Sequence, residues 1–171
     1  MQKKEDSITY ILTLRLDSES QDFFNALREK HFPVERNYLK AHLTLFHKLP
    51  DTAHTFAVLR EITQEPFDMR VTGLRHLGAG VAYQFESDKL QRLHQALRAA
   101  FANELIAQDQ QRFMPHVTVQ NKVTPAASKE LLQALREGFK PFTVRATGMD
   151  LWIYQGGPWA YKAGFPFVNQ D

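Results

Sequence analysis

The sequence predicts a duplicated fold. It reads as two β-α-β-α-β units, approximately residues 8–77 and 81–154, packed about a pseudo-two-fold axis with equivalent strands facing each other across a cleft. Three observations predict it. Residues 66–73 read PFDMRVTG and residues 141–148 read PFTVRATG, so Pro66, Phe67, Arg70, Thr72 and Gly73 recur 75 positions later as Pro141, Phe142, Arg145, Thr147 and Gly148. The triplet LRE at 59–61 recurs at 135–137. HLTL at 42–45 recurs as HVTV at 116–119, and Lys48 recurs as Lys122 at the same distance from its histidine. A repeat of this length places equivalent residues in equivalent structural surroundings, so each motif is read with its partner.

Taken in order, each unit opens with a strand: Ile8, Tyr10, Leu12, Leu14 and Leu16 alternate at period two, as do Val81, Tyr83 and Phe85. A helix follows in each. In the first unit Phe23, Phe24 and Leu27 follow Ser18 or Ser20 as the N-cap, and this helix is expected to be the shorter one. In the second, Leu90, Leu93, Leu97 and Phe101 share a helical face after Ser87. The His-x-Thr segments, apolar and partly β-branched, read as the second strands. The next helices cover roughly 52–64 and the segment from Thr124 as N-cap and Pro125 at N1, through Leu131, Leu132 and Leu135, to Gly138 as the stop. The third strands expose one apolar face each, Phe67, Met69 and Val71 in one and Phe142, Val144 and Ala146 in the other.

Composition narrows the function classes. A chain of 171 residues with 43% hydrophobic and 23% charged residues is that of a globular domain rather than a disordered one. The absence of cysteine removes disulfides, thiolate nucleophiles and cysteine metal sites, and suits a reducing compartment. A formal charge of +2 is too small for a wide duplex-binding surface but compatible with a small anionic ligand. The charged start followed by alternation lacks the shape of a signal peptide, and no run of about 18 apolar residues marks a membrane span, so a soluble cytoplasmic protein is expected.

The chemistry lies in the two His-x-Thr strands. Side chains alternate along a strand, so His42 and Thr44 share one face while Leu43 and Leu45 anchor the other, and His116 and Thr118 stand likewise against Val117 and Val119. If those faces line the cleft, two imidazoles and two hydroxyls meet there. An imidazole with a pKa of about 6.5 can act as base or acid near neutrality. In-line displacement at phosphorus needs one group to deprotonate the nucleophile and another to protonate the leaving oxygen. Threonine hydroxyls can hold the nonbridging oxygens, and protonated imidazole adds charge stabilisation, so no metal is needed.

These paired tetrapeptides, inside two similar halves and with Pro115 and LWIYQGGPW at 151–159, resemble the signature of the two-histidine (2H) phosphoesterase superfamily, particularly bacterial 2′-5′ RNA ligase-like and cyclic phosphodiesterase proteins. The resemblance implies a bilobal α+β fold, one domain spanning residues 1–171, with two antiparallel sheets around a central cleft. It also implies cofactor-free and metal-independent chemistry on 2′,3′-cyclic or 2′-5′ phosphodiesters of RNA ends or nucleotides, either hydrolysis or reversible ligation, in a protein expected to be a monomer. His42 and His116 would be acid and base, in an order left open, and Thr44 and Thr118 the phosphate-binding hydroxyls. A non-catalytic module holding RNA ends or nucleotides in the same cleft is the alternative. The residues just after each motif depart from many relatives: Phe46, His47 and Lys48 in one strand, Gln120, Asn121 and Lys122 in the other.

By alternation Phe46 and Gln120 continue the faces of His42 and His116 and are candidates to touch a base or sugar, with packing an equal alternative for Phe46, while His47 falls on the opposite face and is set apart from the pair. Trp152, Tyr154, Trp159 and Tyr161 are candidates for stacking on a nucleobase, with core packing an equal alternative for one of the first two. His94 lies i+4 from Leu90 and is expected to pack; His31, His54 and His76 have no patterned partner. Arg70 and Arg145 read as exposed or ion-paired strand residues, and Lys48 and Lys122 as strand-end cations. No His-Glu-x-x-His spacing and no carboxylate accompany either motif, so no metal site is expected.

Overall fold

The computed structural model describes residues 7–170, so the charged start that argues against a signal peptide lies outside the described residues. The first unit contributes β1 (Thr9–Leu16), α1 (Ser18–His31), β2 (Leu43–Pro50), α2 (Ala53–Glu61) and β3 (Phe67–His76). The second contributes β4 (Val81–Glu86), α3 (Asp88–Phe101), β5 (His116–Gln120), α4 (Pro125–Glu137) and β6 (Phe142–Ile153). A further strand, β7 (Ala160–Pro166), comes from a segment in which the sequence pattern marks no strand.

Helix starts follow local chemistry. Ser87 accepts from the Leu90 N–H, Thr124 from Ala127 N–H with Pro125 behind it, and Thr52 from Thr55 N–H. For α1 the cap is Asp17, not Ser18 or Ser20. Its carboxylate accepts from the Ser20 N–H and hydroxyl and from the Arg145 N–H, tying the helix start to β6. The helix is also as long as α3, because its buried stripe runs from Phe24 to Arg28, a cation where a sequence reading looks for an apolar residue.

All strand pairs are antiparallel, in the order β2-β1-β6-β3-β4-β5 with β7 on β6. Exchanging β1, β2 and β3 for β4, β5 and β6 returns the same order read from the other end. The α+β antiparallel architecture is as expected, but the two expected sheets are continuous. Residues 67–71 of β3 pair with residues 142–146 of β6, Met69 facing Val144. The third strands are long enough to serve both halves: β3 continues along β4, and β6 continues along β1.

Each half-sheet therefore takes its third strand from the other unit. The cause is the tight connection at residues 77–80, where Leu77 N–H donates to the Gly80 carbonyl and Gly78 takes a φ of 85° that favours glycine. So short a turn makes β3 pair with β4 as a hairpin. The helices cross over too. Phe24 of α1 packs on Tyr83 and Phe85 of β4 and on Phe142 of β6, while His94 and Phe101 of α3 pack on Phe46 of β2. The sheet curls until β2 and β5, at opposite ends of the strand order, approach each other and enclose a cleft. Among the described residues no helix is long and apolar enough to cross a membrane.

Because neither unit holds a complete core, unfolding is expected to be one cooperative event. Phe24→Ala, at a fully buried site, should cost about 3–5 kcal/mol. In urea, far-UV circular dichroism and tryptophan fluorescence should give coincident transitions for both proteins, although Trp152 and Trp159 lie by β1 and β6, away from the lesion. Separate transitions would show that the halves fold independently.

Candidate active site

Both His-x-Thr strands are shaped by the same irregularity. In β2 the register moves from Thr13↔Thr44 to Leu12↔Phe46, so Leu45 is an extra residue; in β5 it moves from Ala82↔Thr118 to Val81↔Gln120, so Val119 is extra. A bulge breaks alternation: the residues before it keep the predicted faces, and those directly after it are reversed, until in β2 a second register shift between Phe46 and Leu49 returns Leu49 to the core. Before the bulge, Leu43, Leu45, Val117 and Val119 are buried while His42, Thr44, His116 and Thr118 are partly open, as alternation requires. All four polar residues line one cavity of about 300 Å³.

The two imidazoles are held alike. His42 Nδ1 lies 2.8 Å from the Lys40 carbonyl and His116 Nδ1 lies 2.9 Å from the Met114 carbonyl, each two residues back along the chain. A carbonyl oxygen only accepts, so Nδ1 carries the hydrogen in both rings and Nε2 is left for chemistry. Burial pushes the His42 pKa down to about 4, helped by the charge of Arg28 and by the other two imidazoles, against the Lys40 hydrogen bond that raises it. His116 is lowered as well, first by burial and then by Arg75.

Past the bulge the sequence expectations are overturned. Phe46 is fully buried, stacked on His94 at 4.6 Å, and cannot touch a ligand. Gln120 turns inward too, with its Oε1 buried and without a protein partner. The same reversal moves His47 to the cleft side: its ring lines the cavity with His42 and His116. Asp109 holds it there, accepting from the His47 ring Nδ1 and from the His47 and Lys48 backbone N–H groups at 2.9–3.0 Å. Burial would raise the Asp109 carboxyl, but the hydrogen bonds from His47 and Lys48 keep it below its ordinary value.

The aromatic candidates divide. Trp152 Nε1–H donates to Thr13 Oγ1 at 2.9 Å, which fixes the indole beside a groove adjoining His42. Trp159 lies 4.7 Å from the His42 ring, and the exposed Tyr154 lines the adjoining groove that reaches Thr118. Tyr161 packs edge-on against Trp152. His94 is a packed histidine as expected, sandwiched between Phe46 and Phe113 with Nε2 on the Leu45 carbonyl. Arg145 pairs with Asp68 at 3.0 Å, and Lys48 lies inside β2 rather than at its end.

Three cations were missed: Arg28, and Arg75 and Arg112 in the cavity wall. Arg28 is buried under the groove, donating to Asn37 Oδ1 and the Thr118 carbonyl, with its guanidinium 4.0 Å above the Phe32 ring. Burial lowers its pKa to about 10, which leaves it charged at neutrality. Its one sequence signal is its place four residues after Phe24 on the buried stripe. Arg75, at the far end of β3, lines the cavity, and nothing local in the sequence points to it. Among the described residues no three His, Asp or Glu side chains converge as a ligand set for a metal ion.

Fold and sequence agree on a class. Residues 16–158 match the 2′-5′ RNA ligase superfamily, and the chain belongs to that superfamily of phosphoesterase- and ligase-like enzymes. In sequence it matches no curated protein. Its structure is similar to that of TT0787 from Thermus thermophilus, at 17% identity over 93% of this chain and 97% of that one, with a TM-score of 0.67. It is similar also to E. coli LigT complexed with 3′-AMP, at 18% identity over 96% and 100% of the two chains and a TM-score of 0.63. A third solved structure, described as a phosphoesterase, matches at 16% identity over 96% and 100%, with a TM-score of 0.65. LigT has also been solved with NADP+ and with ATP. At these identities the likeness establishes the fold.

The lowered histidines make stability pH-dependent. A group with a folded pKa below its unfolded one contributes stability that is present above the unfolded value and lost as pH falls towards the folded value. For His42 that window runs from the ordinary 6.5 down to about 4. Urea midpoints should fall as pH is lowered through it, and His42→Gln should remove part of that fall. An equal slope in wild type and variant would show that His42 is not desolvated.

Proposed function

We propose that the protein is a metal-independent phosphoesterase acting on 2′,3′-cyclic or 2′-5′ phosphodiesters of RNA ends or nucleotides. The reading rests on one observation: two imidazoles, tethered identically through Nδ1, leave both Nε2 atoms available in one cavity that also holds two threonine hydroxyls. A phosphate between them would have a proton acceptor on one side and a donor on the other. The greater depression of His42 favours it as the neutral base and His116 as the acid. In hydrolysis His42 Nε2 takes the proton of water as its oxygen bonds to phosphorus, the bond to the ribose oxygen breaks, and His116 protonates that oxygen, leaving a monoester. Thr44 and Thr118 donate to the nonbridging oxygens as charge gathers there.

Replacing water by an RNA 5′-hydroxyl makes the same steps a ligation giving a 2′-5′ linkage, and running them backwards cleaves it. The Trp152, Trp159 and Tyr154 groove would take the base by stacking. That LigT, which has a similar fold, has been solved with 3′-AMP, ATP and NADP+ supports a nucleotide ligand. We also read the palindromic strand order as the product of an internal duplication, within a single bilobal domain.

Incubation with nucleoside 2′,3′-cyclic phosphates and short 2′-5′ linked oligonucleotides, with product identification, tests the reading. Turnover is expected in EDTA. His42→Ala and His116→Ala should each lower kcat/KM by about 10²–10⁴-fold. The pH profile should be a bell: rising through about 4 as His42 loses its proton, and falling as His116 loses its own below the ordinary 6.5. Full activity in the double variant, or tight binding with no turnover, would replace this reading with another.

A further inference from the structure

The histidine pair is symmetric, yet its two sides differ. One side opens onto the aromatic groove, lined by Trp159 next to His42. Arg75 from β3, Arg112 just before β5, and His47 after the β2 bulge line the histidine cavity itself, and none of the three lines either aromatic groove. The asymmetry comes from the residues that succeed each motif. The residue equivalent to His47 in the second unit is Asn121, which lines the groove and not this cavity.

His47 is built into place. Its Nδ1 and backbone N–H are both taken by Asp109, whose side chain is 1% exposed. With Nδ1 spent on the carboxylate, Nε2 is the ring's remaining contact, and the side chain is 46% exposed at the cavity wall. Asp109 itself is satisfied by three donor groups, two of them backbone amides. Its buried carboxylate thus serves as an anchor for the imidazole, and the two guanidinium side chains of the cavity lining, Arg75 and Arg112, stand there with Gln108 and Gln111. Two guanidiniums lining the cavity that also holds the paired histidines supply more positive charge and more donors than one phosphodiester monoanion requires.

We propose that the part of the cavity lined by Arg75, Arg112 and His47 is a subsite for a second phosphate, so that the preferred substrate carries a further phosphate group beside the scissile one. The proposal rests on the phosphoesterase reading for the position of the scissile phosphate. A second phosphate has two sources, a 5′-monophosphate on a mononucleotide or the next diester of an RNA end, and their shared chemistry is an anionic phosphate on the side of the histidines away from the base.

Five ligands separate the outcomes: adenosine 2′,3′-cyclic phosphate, the same compound with a 5′-phosphate, a dinucleotide with a 2′,3′-cyclic end and no 5′-phosphate, and, for binding alone, adenosine 3′,5′-bisphosphate against 3′-AMP. In the wild type the second phosphate should raise kcat/KM and tighten bisphosphate binding by about tenfold or more, as one charge-assisted contact would. Preference for the 5′-phosphate or for the dinucleotide identifies the source. Arg75→Gln and His47→Asn, with Arg112→Gln as a second cation variant, should each lower the ratio between the two substrates. Turnover with a ratio near one, or a ratio that none of the three changes alters, overturns the subsite and leaves the phosphoesterase standing. No turnover on any substrate, with bisphosphate preference lost in the variants, supports the subsite and overturns the enzyme.

Discussion

The antiparallel pairing of β3 with β6 over five residues holds the two units in one sheet, and the cleft exists only because of it. Met69 and Val144, both buried, face each other where the two units meet. From that point each third strand runs on beside the other unit's first strand, which interlocks the two halves. The curl of the joined sheet then brings β2 and β5, the farthest strands in its order, to opposite walls of one cleft. No local interaction holds His42 near His116; the whole sheet does.

Within that frame the bulges set what the cleft contains. A regular strand would have directed Phe46 and Gln120 towards a ligand and His47 away from it. One extra residue in each strand inverts this, closing the core with Phe46 and bringing His47 round to the cavity. The free edge of β2 would otherwise leave the His47 and Lys48 amides unpaired. Asp109, from the short 3-10 turn Ala107–Gln110, accepts both and the His47 ring as well, so strand-edge protection and placement of a cleft imidazole come from the same carboxylate. Desolvation of the two Nδ1-tethered histidines results from the same enclosure and keeps them neutral over a wider pH range than an exposed imidazole.

Much of this was legible in the sequence, and the reasons for the remainder are specific. The repeated PF-x-x-R-x-T-G and His-x-Thr strings placed the elements in order because apolar alternation and capping chemistry are local. Ser87, Thr124 and Pro125 start their helices as their side chains dictate. Asp17 was not legible as the α1 cap, since part of its preference lies in Arg145, far along the chain. β7 lacked an alternating apolar pattern: its residues Ala160–Pro166 are largely partly exposed, and it is held by backbone pairing to β6.

Local pattern was enough to single out the four polar residues at the centre, His42, Thr44, His116 and Thr118, because they precede the bulges and obey simple alternation. It was enough also for the four helices and for strands β1 to β6, while the antiparallel α+β architecture was an implication of the family resemblance. Which unit lends its third strand to which half was settled in three dimensions, as a consequence of the tight turn at residues 77–80. So was the burial of Phe46 and Gln120 and the exposure of His47, because a bulge reflects the pairing of two strands and leaves no mark in either one. The charges of the cleft, Arg28 beneath the groove and Arg75 and Arg112 in the cavity, come from a helix, a strand and a loop distant in sequence, and their meeting is a property of the folded sheet.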